Sequence, residues 1–495
     1  MSLSNLVKRL QDIMRNDAGI NGDAQRIEQM VWILFLKVYD AKEAVWEFTD
    51  DNNYTSIIPE KLKWRNWATD LKDGNALTGE ALLKFVNTEL FPQLKSIEIN
   101  EHTPMSQIIV RTAFEDNNNY MKDGILLRQV INVIDEIDFE DYTDRHAFGD
   151  IYETILKDLQ NAGKSGEFYT PRAVTDFMVQ MTAPKLGESI ADFACGTGGF
   201  LTSALKVLDQ QVGTSTDKRE TYSNSVYGIE KKALPFLLCA TNMLLHDIDN
   251  PKIIHGNALE HRVQDYKDKD KFDVILMNPP YGGNEKDGVK QNFPADLRSS
   301  ETADLFMSVI MYRLKRDGRC AIILPDGFLF GTDNAKVAIK TKLLTEFNLH
   351  TVVRMPHSVF APYTSITTNI LFFDNKSATD QTWFYRLDMP EGYKNFSKTK
   401  PMKLEHFAPA MAWWNSREAI NIDGFDKAQC YTAAQIAARN YNIDLCGYPH
   451  EEEEILPPDE LIHQYQEKRA SLNADIDRIL SQITDILGIN ISQEQ

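Results

Sequence analysis

Apolar residues recur at helical spacing over residues 3–15 and again over 24–48, AQRIEQMVWILFLKVYDAKEAVWEF, with Asn21, Gly22 and Asp23 punctuating the two stretches. The segments GEALLKFVNTELFPQL and GILLRQVINVIDEI continue the same period. No strand-like alternation competes, so residues 1–145 are expected to form an all-helical N-terminal domain whose apolar and aromatic stripes turn into a core. After His146 the pattern changes. Short apolar runs at 189–193, 225–230, 252–255, 272–278, 320–325, 351–355 and 369–373 alternate with helical stretches, which predicts a doubly wound, largely parallel α/β sheet. Ligands of such sheets sit beyond the carboxyl ends of the strands, so the residues following these runs are the ones to interrogate.

Beyond Asp374 the chain turns polar, and we divide it into an α/β domain at 146–390 and a C-terminal region at 391–495. Lys394, Lys398, Lys400 and Lys403, interleaved with Tyr393 and Phe396, read either as a solvated loop or as a patch that contacts phosphates. An acidic segment, HEEEEILPPDE, precedes a last helix expected at about 458–488. There Tyr465, Leu472, Ile479 and Ile486 fall seven apart, and Ile476 and Ile483 fill the alternate seam. A lone helix with such a seam needs a partner surface, either this protein's own core or another subunit.

Length and charge narrow the class. With 495 residues there is room for two or three domains, and 53 basic against 72 acidic residues give a net charge of −19. The surface as a whole repels phosphate, which excludes a nonspecific duplex-coating protein; any nucleic acid must meet a local basic patch or a partner's surface. Cys195, Cys239, Cys320, Cys430 and Cys446 are scattered and never form a C-x-x-C pair, so neither a disulfide framework nor a metal site is expected. The N-terminus lacks the apolar core of a signal peptide and no run approaches a membrane span, which points to a soluble, cytoplasmic protein with no membrane partner.

Two motifs carry chemistry. Asp192-Phe193-Ala194-Cys195-Gly196-Thr197-Gly198-Gly199 follows the first run and leads into a helical pattern, as a glycine turn that brings backbone amides close to a ligand does. Leu201 stands where a dinucleotide fingerprint needs its third glycine, which disfavours nicotinamide and flavin cofactors. Glu230 ends the second run, where a carboxylate accepts the two hydroxyls of a ribose; the polar stretch QQVGTSTDKRETYSN explains its long separation from the glycine loop. This pair, without a phosphate-binding lysine, suits a nucleoside that carries no phosphates, such as S-adenosylmethionine. Gly163-Lys164-Ser165 looks like the end of a P-loop, but Asp158 occupies the place of its first glycine, so ATP is rejected there.

The second motif, Asn278-Pro279-Pro280-Tyr281, closes the fourth run. An amino group conjugated to a heterocycle is a poor nucleophile because its lone pair is delocalised into the ring. If Asn278 Oδ1 and the Pro279 carbonyl each accept one amino hydrogen, the nitrogen moves toward tetrahedral geometry and can attack a methyl sulfonium in line. The prolines hold that carbonyl rigidly, and Tyr281 offers a flat face to an extruded base.

With these motifs the chain resembles the class γ amino-methyltransferases and, within them, the modification (methylation) subunit of type I restriction–modification systems. The resemblance implies an S-adenosylmethionine-dependent methyltransferase core, Rossmann-like and doubly wound, with an all-α N-terminal domain and a C-terminal helical tail. It makes Glu167, Phe168, Tyr169, Thr170, Pro171 and Arg172 the segment that contacts the methionine end of the cofactor. Asp192, Gly196, Thr197 and Gly198 become the glycine loop, Glu230 the ribose carboxylate, Asn257 and Ala258 the segment reaching the adenine ring, and Asn278, Pro279, Pro280 and Tyr281 the catalytic motif. Ala303-Asp304-Leu305-Phe306 looks like the helix lining the cofactor adenine. Asn257 departs from the Asp of many relatives, which bears on cofactor affinity.

Cytosine C5 methylation is excluded because no cysteine follows a proline. Cytosine N4 enzymes usually carry Ser at the position of Asn278, and release-factor glutamine methyltransferases resemble only the core, so N6 of adenine in duplex DNA is the expected target. Only about a hundred residues of this sequence follow the core, partly acidic and partly a lone helix, so site choice is expected to come from another chain. The resemblance then supplies a specificity subunit flanked by two methyltransferase copies, with a separate restriction subunit in the full complex; the helix at 458–488 is the candidate for docking. The N-terminal domain is assigned to closing over DNA or pairing the two copies.

Overall fold

The run ending at Asp192 becomes β1 (Ile190–Asp192), a short strand buried along its whole length. The computed structural model describes residues 3–49, 54–69, 76–137, 139, 169–361, 364, 366–397, 400–448 and 458–487. They fall into two units, Met1–Gly447 and Tyr448–Gln495.

In the first unit the remaining six runs form β2 (Val226–Glu230), β3 (Lys252–His255), β4 (Phe272–Met277), β5 (Leu314–Pro325), β6 (Asn348–Arg354) and β7 (Thr368–Asp374). Three strands that the pattern did not reveal follow: β8 (Gln381–Arg386), β9 (Ile420–Ile422) and β10 (Phe425–Thr432). The sheet order is β3-β2-β1-β4-β5-β7-β6-β8-β10-β9. β1 pairs in parallel with both β2 and β4, and the chain reverses its direction of travel across the sheet there. That switch opens a crevice at the carboxyl ends of β1, β2 and β4. β5 continues in parallel with β4, but β7 runs antiparallel between β5 and β6. The stretch joining β6 to β7 has no helix among its described residues to make a parallel crossover, so the chain returns as a hairpin-like strand. β9 and β10, from the segment set apart as the C-terminal region, join this same sheet.

Ahead of the sheet the described chain is helical, including Leu3–Met14, Asp23–Thr49, Met105–Glu115 and Gly124–Asp135. The helical segment from Gly79 forms two helices, Gly79–Phe85 and Phe91–Lys95, around a π-helical turn at Val86–Leu90. Pro92, with no N–H to return to the preceding turn, accompanies the break. Phe91 packs edge-on against both Trp32 and Phe114, with ring centroids 5.1 Å apart in each pair.

The helix between β2 and β3, Ala233–Leu245, reads ALPFLLCATNMLL and is buried on every side. Such a helix must be covered on both faces. The sheet covers one, and the N-terminal helices Asp23–Thr49 and Met105–Glu115 cover the other. Just past its end, Lys42 Nζ reaches Asp247 at 2.6 Å and Asp249 at 3.2 Å, and the Ser106 amide donates to Asn250 Oδ1 at 3.0 Å. The second unit contains the helix Pro458–Leu487, on which Tyr465, Leu472, Ile476, Ile479 and Ile483 are exposed.

Candidate active site

Gly196 and Gly198 take φ of +54° and +85°, turning the chain off β1 into the helix Gly199–Val212. A Cβ on Gly198 would stand 2.9 Å from Cys239 Sγ and 3.3 Å from Met243 Cε, so both backbone angle and space demand glycine. The Gly196 amide donates to Glu230 Oε2 and the Lys232 amide to Glu230 Oε1, each at 2.8 Å. The carboxylate that ends β2 thus ties the β1 loop to its own.

Asp192 lies just beneath, buried, with its Oδ1 accepting the Ala194 amide at 3.0 Å. Burial pushes its carboxyl from the ordinary 3.8 up to about 8; the Ala194 bond opposes the rise and the charge of Glu230 adds to it. Folding therefore favours the protonated acid. The stability it contributes is fully present below the ordinary carboxylate range and is lost as pH climbs through the raised value. Asp192→Asn, which keeps the acceptor and cannot ionise, is expected to melt higher than wild type at about pH 9 and to show a smaller gain at about pH 6. Equal gains at both pH values in thermal melts would contradict this.

At the end of β4, Asn278 Nδ2 donates to Thr170 Oγ1 at 2.9 Å, and the Tyr281 hydroxyl donates to Asn278 Oδ1. The amide orientation follows from these two partners. Tyr281 packs against the cores on both faces of the sheet, and burial holds its phenol pKa well above the ordinary value, keeping the proton it donates. The loop beyond is pinned to the helix Thr302–Arg313: Gly283 O accepts the Thr302 amide at 3.1 Å, and Asn284 bridges to Glu301.

Gly196, Glu230, Asn257, Ala258, Asn278, Pro279 and Pro280 line one cleft of about 580 Å³. Phe306, from the helix singled out for an adenine ring, lines it too. Asn257 Oδ1 caps its own turn by accepting the Leu259 amide at 3.1 Å. Thr170 reaches the cleft through Asn278. Arg172 does something else: its Nη1 donates to Gly199 O at 2.6 Å and Thr202 Oγ1 at 2.5 Å, clamping the start of the helix after the glycine loop. Pro171 caps the helix Arg172–Thr182, and Tyr169 is half-buried against the core. Asp192, Thr197 and Gly198 are not among the residues that line the cleft. Glu167 and Phe168 lie outside the described residues, as does Gly163-Lys164-Ser165.

Sequence reasoning passed over Lys231, Glu285 and Thr302, which also line the cleft; Lys231 Nζ pairs with Glu285 Oε1 at 3.0 Å. Each lies within a few residues of a motif, and that adjacency was the signal. In the lysine loop, Phe396 is buried and stacks on His406 with centroids 5.6 Å apart, while Lys400 Nζ sits 5.5 Å over the Tyr393 ring. Those aromatics serve the fold; Lys398 lies outside the described residues. Among the described residues no cluster of His, Cys, Asp and Glu could hold a metal, and no helix is long and apolar enough to cross a membrane.

Comparison with known proteins bears on the same residues. The family model of the N-6 DNA methylases matches residues 143–455, and that of the HsdM N-terminal domain matches 3–134. The type I restriction enzyme EcoEI methylase subunit of Escherichia coli is 48% identical over 492 residues, covering 99% of this chain and 98% of that protein. The EcoKI methylase subunit of Escherichia coli strain K12 is 26% identical, over 83% of this chain and 76% of that protein. The crystal structure of a modification subunit of a putative type I restriction enzyme from Vibrio vulnificus YJ016 superposes with a TM-score of 0.78 at 38% identity, covering 90% of this chain and 95% of that one. A chain from a structural study of complex assembly and conformational transition of the type I R-M system gives 0.79 at 32% identity, with 98% of each chain covered. The chain thus belongs to the N-6 DNA methylase family, among the methylase subunits of type I restriction enzymes.

Proposed function

We propose that this subunit moves the methyl group of S-adenosylmethionine to N6 of an adenine flipped out of duplex DNA, at sites chosen by a separate specificity subunit. The observation that carries the reading is the shared cleft: the glycine loop and Glu230 enter it from one side and Asn278 to Pro280 from the other. Its volume suits a nucleoside together with an entering base. Glu230, in bonding range of two loop amides, is placed to take a ribose diol, with Asn257, Ala258 and Phe306 around the adenine ring. The methionine end falls to the segment from Glu167 to Arg172, with Arg172 acting through the helix start it clamps. Bound there, the cofactor supplies an electrophilic methyl group.

The chain's own residues then prepare the nucleophile. Asn278 Oδ1 and the Pro279 carbonyl accept the two amino hydrogens, so the N6 lone pair is free to attack in line, and the surplus proton leaves along one of these bonds toward solvent. Asn278 Oδ1 has two lone pairs, so it can take an amino hydrogen beside the Tyr281 hydroxyl, and the Tyr281 ring is the face on which the base would stack. Isothermal titration with S-adenosylmethionine and, separately, with a nicotinamide dinucleotide tests the cofactor assignment: binding of the first alone supports it, binding of the second alone contradicts it.

Partner choice rests on the helix Pro458–Leu487. Its exposed seam is the docking surface for the specificity subunit, which two copies of this chain flank, with the restriction subunit joining the full complex. The helical N-terminal part, 1–145, closes over DNA or pairs the two copies, and 146–390 performs catalysis. The cytoplasm, where DNA and a reducing milieu for five free cysteines coincide, is the expected compartment. Truncation after Gly447, the end of the first unit, should leave a folded chain that binds cofactor and no longer co-purifies with the specificity subunit. An intact complex on size exclusion would contradict the docking assignment.

A further inference from the structure

We propose that Asn242 is a positioning residue for the cofactor loop, holding the Thr197 carbonyl so that the loop is shaped before the cofactor arrives. The inference rests on the reading that S-adenosylmethionine binds at this glycine loop.

Asn242 is fully buried on the helix Ala233–Leu245, and its Nδ2 donates to Thr197 O at 3.2 Å. Thr197 stands between two glycines of positive φ, so its peptide planes belong to the least constrained stretch of the crevice. A bond to its carbonyl removes that freedom in advance, and the ordering cost no longer falls on ligand binding. The same helix face does the rest. Cys239 and Met243, a helical turn apart, fill the space beside Gly198, and Cys239 Sγ lies 3.7 Å from Cys195 Sγ of the loop. Packing fixes where the loop sits, and Asn242 fixes how its one non-glycine peptide is turned.

The other end of the Asn242 amide shows what the side chain is for. Its Oδ1 is buried with no hydrogen-bond partner among the described residues. An apolar residue of the same size would leave no such acceptor, so stability alone does not call for an amide here. The bond it donates to the loop does. The helix also runs from the cleft, where Pro235 lines the wall, to Asp247, which meets Lys42 of the N-terminal helices at 2.6 Å. The loop's positioning residue is thereby braced by the N-terminal helical domain.

The test measures S-adenosylmethionine affinity by titration calorimetry and melting temperature on full-length Asn242→Leu and Asn242→Asp, and KM for cofactor and for DNA on the same variants assembled with the specificity subunit. For Asn242→Leu, affinity is expected to weaken about tenfold, with KM for cofactor rising in step, KM for DNA unchanged and melting temperature not lowered. For Asn242→Asp, affinity relative to wild type at each pH should be poor at about pH 8 and recover toward about pH 6, as the buried carboxyl gains the proton it needs to donate to Thr197. A folded Asn242→Leu that binds within about twofold of wild type overturns the proposal. If that variant does not fold, a flat pH profile for Asn242→Asp overturns it instead. Wild type that binds no cofactor at all would sink the underlying reading of the loop.

Discussion

Asn278→Ala is expected to abolish methyl transfer at the sensitivity of a steady-state assay while S-adenosylmethionine binding stays within about threefold of wild type. On the proposed mechanism the residue contributes an acceptor that matters as charge develops on the amine. Removing one such preorganised group costs on the order of 10²–10³ in rate, about 2.7–4 kcal/mol. Here the loss is compounded. Thr170 and Tyr281 hold the Asn278 amide in one orientation, and without the side chain each loses this bond. Single-turnover transfer of a labelled methyl group, beside a calorimetric titration of cofactor, separates the two effects. Near-normal transfer would remove Asn278 from the chemistry; equal losses of binding and transfer would make it a cofactor residue.

Glu230→Ala should do the reverse and strike binding first. Two backbone amides, Gly196 and Lys232, converge on this carboxylate, and a ribose diol would take the same oxygens. Hydrogen bonds to a charged group contribute about 1.5–3 kcal/mol each, so cofactor affinity is expected to fall by about a hundredfold or more. The rate at saturating cofactor should change far less, because the groups proposed to activate the amine, just beyond β4, are untouched. Glu230→Gln, which keeps an acceptor for one amide, should fall between the two. An unchanged dissociation constant in Glu230→Ala would show that the nucleoside binds elsewhere.

Much of this was legible before the fold was known, and the misses have physical causes. All seven apolar runs became strands; the central ones are covered on both faces and need continuous apolar segments, and SIADF, SVYGIE and FDVILMN leave little else to be. The two motifs sit where strands end, so the switch between β1 and β4 brings them into one cleft. β10 escaped because FDKAQCYT is polar and only partly buried, and β7's reversed direction leaves no mark in a period. For Arg172, sequence order puts it ahead of the glycine loop, but only packing shows that its guanidinium turns onto Gly199 and Thr202. The bond from Tyr281 to Asn278 was likewise hidden, since it depends on how the two prolines bend the chain. Phe396 lies in the lysine loop read as solvated or phosphate-contacting; its burial against His406 shows why aromatic spacing in a loop does not reveal which way a ring faces.

The net charge of −19 acquires a meaning from the same comparison. If the subunit acts on DNA as proposed, its acidic surface overall implies that most phosphate neutralisation falls to the partner, with the Lys394 to Lys403 loop as a candidate local cluster. The purified chain alone should accordingly hold duplex weakly.

Transfer of a labelled methyl group from S-adenosylmethionine to duplex DNA, with and without the specificity subunit and with the modified base identified by mass spectrometry, puts the whole reading at risk. N6-methyladenine that forms only when the specificity subunit is present is the expected result. Label on cytosine N4, label on protein glutamine, or sequence-specific methylation by the chain on its own would contradict it.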